Sequence, residues 1–133
     1  MNTSKRANAK NKFKSAGTIT ATLPDGTAFS GTLEAYQYAN RSRIGFFVAQ
    51  SGDHRIVVEL PKQEFDVEMK HIYIPEASFI SWLYINKGDY EPAAEGTLTL
   101  TIDQNGNANG NFTFTGEGPN IKDGTFSITY SAN

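Results

Sequence analysis

The sequence contains no cysteine. A disulfide framework, a zinc–thiolate site and a cysteine nucleophile are therefore excluded, although the compartment is not fixed by this. No run of apolar residues approaches the ~20 that a membrane-spanning helix requires, so no transmembrane segment is expected. There is no nucleophile elbow, no phosphate-cradling glycine loop and no HExxH pair. Histidine occurs only as His54 and His71, and neither stands beside a recognisable nucleophile. The opening MNTSKRANAKNKFKSAG is positively charged but lacks the apolar core of a secretory leader. Cytoplasmic residence is the default expectation, and a leader removed beforehand would leave the same reading.

Charge of one sign is also scarce at the start of the chain. The first 15 residues hold Lys5, Arg6, Lys10, Lys12 and Lys14 and no acid, which leaves seven of the 12 basic groups against all 14 acids in the remainder. The body thus carries −7 behind a +5 segment. A folded surface of that sign repels phosphates, so nucleic-acid binding is disfavoured. Residues 1–16 offer Phe13 as the one large apolar side chain after Met1, too little to offset ordering entropy. We expect a flexible basic tail over 1–16, with a tether to an acidic surface or anionic lipid as one use for it, and a single domain over 17–133.

What the domain does have is period-two alternation. Ile19, Ala21 and Leu23 alternate with threonines, and Pro24-Asp25-Gly26-Thr27 then turns the chain. Strands are expected at about 28–38, 43–50 and 55–60, with Pro61 ending the last. Phe65, Val67 and Met69 alternate with carboxylates as in a half-buried strand, continuing through 71–74. Leu98, Leu100 and Ile102, then Phe112 and Phe114, then Phe126, Ile128 and Tyr130 mark three strands whose other face is rich in threonine.

Residues 75–88 are ambiguous. A proline near the start and Gly88 past the end suit a short helix near 76–86, whereas the aromatic and β-branched content favours a strand. The strand alternative puts Phe79, Leu83 and Ile85 on one face and Ile80, Trp82 and Tyr84 on the other. The whole predicts an all-β fold of about eight or nine antiparallel strands, as a two-sheet sandwich or a flattened up-and-down barrel.

The middle strands carry apolar residues on both faces, as in Phe46 with Phe47 and Ile56 with Val57. Each face of such a sheet needs a cover: more of this chain, a second subunit in a homo-oligomer, or a small apolar ligand inside a barrel. Aromatic residues with a polar tip suit a carbohydrate or protein partner. The candidate contacts are Tyr36, Tyr38, Trp82, Tyr84 and Tyr90, the last in what reads as a polar loop.

Asp103, Asn105 and Asn107 match the first positions of a calcium loop. The match fails where a glycine and a bidentate carboxylate should follow, since Ala108 and Phe114 stand there, so neither metal nor cofactor is expected. Glu64, Asp66 and Glu68 read as a solvated strand face. The reading is a non-enzymatic binding or assembly module. The alternative is a hydrolase or isomerase using His54 or His71 as base with a carboxylate such as Asp53 or Glu68.

Overall fold

A computed structural model describes residues 14–75 and 81–132, and these form ten antiparallel strands in one strongly curled sheet, a half-barrel. In chain order they are β1 (Ala16–Thr22), β2 (Ala28–Gln37), β3 (Gly45–Ser51), β4 (His54–Leu60), β5 (Met69–Tyr73), β6 (Trp82–Asn86), β7 (Asp89–Pro92), β8 (Glu95–Ile102), β9 (Ala108–Thr115) and β10 (Ile121–Thr129). Their order across the sheet is β5-β8-β9-β10-β1-β2-β3-β4-β6-β7. Most neighbours are hairpins. The exception is β5, which leaves β4 and pairs with β8 at the far edge.

The alternation seen in the sequence supplies the two faces. Ile19, Phe47, Ile56, Val58, Leu98, Leu100, Phe112, Phe126 and Ile128 all point into one buried cluster. Rings from opposite walls meet there: Phe47 of β3 lies 5.0 Å from Phe126 and 5.9 Å from Phe112, centroid to centroid. The described interior is filled by this packing. On the outer face of β8, β9, β10 and β1 the threonines stand in rungs, with Thr20 hydrogen-bonded to Thr125 at 2.7 Å and Thr97 to Thr113 at 2.8 Å.

Register shifts at Thr20/Thr22, Leu33/Ala35 and Ile121/Gly124 bend the sheet where an extra residue is inserted. The curl brings the two ends of the sheet together at one corner. There only Ala93 and Ala94 separate β7 from β8, and the Trp82 indole of β6 stacks 4.7 Å from Tyr73 of β5 and 5.7 Å from Phe114 of β9. Its Nε1 donates to the Glu59 carbonyl at 2.9 Å. Gly96 makes the room, because a Cβ there would fall 2.4 Å from both the indole and the Thr113 carbonyl.

Three local expectations need correction. Phe65–Glu68 is not strand: Asp66 takes φ +62 and donates its amide to Ile102, so β5 begins at Met69. Trp82–Asn86 is strand rather than helix, and the rest of that stretch, 76–80, lies outside the described residues, as does most of the basic tail. Tyr90 sits in β7 rather than in a loop, because Lys87 and Gly88, at φ +54 and +92, close a tight hairpin from β6. This strand is the tenth that the sequence reading lacked.

Candidate functional site

Two surfaces and one sealed end hold the residues singled out from the sequence. The sealed end gathers Tyr36, Tyr38, Phe65 and Tyr130. Tyr36 is 8% exposed and its hydroxyl donates to the Gly106 carbonyl at 2.7 Å. Burial first, then the nearby Asp103 charge, pushes its ionisation well above the ordinary tyrosine range. Half-buried Tyr38 packs edge-on to Tyr130 at 5.0 Å, with the Arg43 guanidinium 4.5 Å over its ring. These two tyrosines share one end of the sheet and plug it. The turn beside them is self-satisfied: Asp103 accepts from the Asn105 and Asn107 amides and from the Asn107 side chain, so its carboxylate is engaged within its own loop.

At the other end the hairpin tips β1–β2, β3–β4 and β6–β7 surround a recess of about 220 Å³ lined by Pro24, Asp25, His54, Tyr84, Asn86, Lys87 and Glu91. The Lys87 amide donates to the Asp53 carbonyl at 2.9 Å and ties two of the tips together. Tyr84, 3% exposed, meets His54 Nδ1 through its hydroxyl at 2.9 Å. Burial raises the Tyr84 ionisation, and Glu91 and Asp25 add to the effect. Sequence reasoning did not anticipate Asp25 and Glu91 in one recess, since they lie in different hairpins and only the curl joins them. His71 is elsewhere, on β5, with Nε2 2.8 Å from the Gln63 side-chain oxygen, and burial lowers its pKa. Among the described residues no carboxylate bonds either histidine ring.

The third location is the outer face of β3, β4, β6 and β7. Direct cross-strand partners Val48, Val57, Leu83 and Pro92 form one row across all four strands. The next row runs Gln50, Arg55, Ile85 and Tyr90. Phe46, Val48, Val57 and Leu83 are half-buried, and none of them belongs to the interior cluster; nor does Ile85. These apolar side chains stand on the far side of a sheet whose inner face already packs the core. Arg55 borders the row and is held by Glu34 at 2.8 Å. Tyr90, 70% exposed, ends it on the last strand of the sheet.

The five aromatic candidates thus divide. Tyr36, Trp82 and Tyr84 are buried in the core cluster, Tyr38 is packed against it, and Tyr90 alone stands out from the surface. Sequence reasoning passed over Val48, Val57 and Leu83 as contacts. Their signal was the two-faced pattern itself, which marks a second apolar face without saying which side is outward.

No family model matches the chain, and neither a curated protein nor a solved structure matches it significantly.

Proposed function

We propose that this chain is a non-enzymatic assembly module whose outer β3–β4–β6–β7 face meets a second copy of itself. The observation that carries this is the row Val48–Val57–Leu83–Pro92. An inward-facing row of this kind would be ordinary core. An outward row across four strands has apolar area to remove from water and no further layer of described chain to do so, which is the situation of a subunit interface. The packed interior argues against a ligand held within the sheet and directs binding to the surface.

A second reading, a hydrolase or isomerase, has one observation in its favour. His54, fixed by the Tyr84 hydroxyl, shares its recess with Asp25 and Glu91. It ranks second because the imidazole is oriented by a phenol rather than by a carboxylate, and no nucleophile lines the recess.

Leu83→Arg tests the assembly reading. The side chain is outward and outside the core cluster, so the variant should keep its fold while a buried guanidinium opposes association. Size-exclusion chromatography with light scattering should show the full chain as an oligomer and the variant as a monomer, with unfolding midpoints within a few degrees. An unchanged oligomer would remove this face from the interface.

A further inference from the structure

β7 is the last strand of the sheet and among the described residues has β6 alone as a neighbour. In its two-residue hairpin Asn86 and Asp89 are the closing pair, so the backbone groups of residues 89 and 91 turn toward β6. The Ala93 amide, bonded to the Trp82 carbonyl at 3.0 Å, keeps the same parity. The backbones of Tyr90 and Pro92 therefore face outward. Pro92 has no N–H, which leaves the open edge with one donor and two acceptors. Side chains alternate along it: Asp89 and Glu91 on one face, Tyr90 and Pro92 on the other, beside the outer apolar rows. A strand that fits this edge carries basic residues alternating with an apolar one.

The chain itself contains such a segment. Lys10-Asn11-Lys12-Phe13 places two lysines on one parity and Phe13, the one large apolar residue between Met1 and Ile19, on the other. The charges around β7 match it: Asp25, Asp53, Asp89 and Glu91 face Lys87 alone, while Arg55 is paired with Glu34. We propose that residues 10–13 of one copy add as a strand to the β7 edge of another, with Phe13 against Tyr90 and the outer rows, and Lys10 and Lys12 beside Glu91 and Asp89. This rests on the assembly reading above and names the segment that completes it.

The donor is a second copy because of reach. Residues 10–13 join directly to Lys14 at the start of β1, and Ser15 is held at the end of β10 by the Ser131 backbone. Four extended residues span at most roughly 14 Å. From β1 to β7 lie five strand spacings, about 24 Å along the sheet.

The test is sedimentation of the full chain over a concentration series in about 50 mM and about 0.5 M salt, with Debye lengths of roughly 14 and 4 Å. The expected result is association at low salt, weakened at high salt. Phe13→Ser and Glu91→Lys should each weaken it at least tenfold. Lys12→Glu combined with Glu91→Lys should recover most of the loss, a rescue that misfolding would not give. Phe13 precedes every strand, so its replacement leaves the sheet sequence intact. Association unaffected by Phe13→Ser and Glu91→Lys but abolished by Leu83→Arg would overturn the tail proposal and keep the assembly face. A monomer under all conditions would overturn both.

Discussion

Replacing Trp82 by alanine should destabilise the protein more than any other single aromatic truncation at the surface or edge of the sheet. The indole is 1% exposed, stacked on Tyr73 and Phe114, and donates to the Glu59 carbonyl. Truncating such a side chain costs about 3–5 kcal/mol in transfer and cavity terms. Two stacked partners place it in the upper half of that range, since aromatic pairs contribute roughly 0.5–1.5 kcal/mol each beyond their area. The unfolding entropy of a domain this size is about 0.25 kcal/mol/K, so Tm should fall by about 12–20 °C. Urea unfolding followed by far-ultraviolet circular dichroism supplies the free energy, because the variant lacks the chain's one tryptophan as a probe. The denaturant slope should stay constant if the two sheet ends still meet. A loss below about 1 kcal/mol would show that the corner is not held by Trp82 and would refute the packing described for it.

Other consequences follow from single contacts. Tyr36→Phe leaves the Gly106 carbonyl without its buried donor and should cost about 1–2 kcal/mol by urea midpoint. Because the folded state raises the Tyr36 pKa, its contribution is complete below the unfolded tyrosine pKa of about 10 and is lost as pH rises above it; alkaline unfolding should thus be milder in Tyr36→Phe than in wild type. The lowered pKa of His71 works in the other direction. Its contribution is present above about pH 6.5 and is lost as pH falls through the lower folded value, so the urea midpoint should drop between pH 7.5 and 5.5, with a smaller drop in His71→Gln. Proton NMR of the His71 ring should titrate below the ordinary histidine range, and an ordinary titration would refute the burial argument.

Much of the sheet was legible because period-two alternation is local: Leu98, Leu100 and Ile102, or Phe126 and Ile128, announce their strands without help from the rest of the chain. β7 was not legible. Asp89-Tyr90-Glu91-Pro92 has little intrinsic strand preference and becomes a strand by pairing with β6 across the Lys87-Gly88 turn. The crossing of β5 to β8 was equally hidden, since neither strand's own sequence records its partner. For the candidate site the alternation divided Trp82 and Tyr84 from Leu83 and Ile85 correctly, yet parity alone does not say which set is outward. The aromatic set drew attention as a contact surface and packs the corner and the core; the aliphatic set faces out. The recess was invisible for another reason, as Asp25, His54 and Glu91 come from three hairpins that only the curl of the sheet assembles.

Native mass spectrometry of the protein as purified tests the central claim most directly, because it reads subunit number and any retained molecule in one spectrum. The assembly reading predicts oligomers of bare chains at micromolar concentration, lost in Leu83→Arg. Bare monomers at every concentration, or monomers carrying a small molecule, would contradict it.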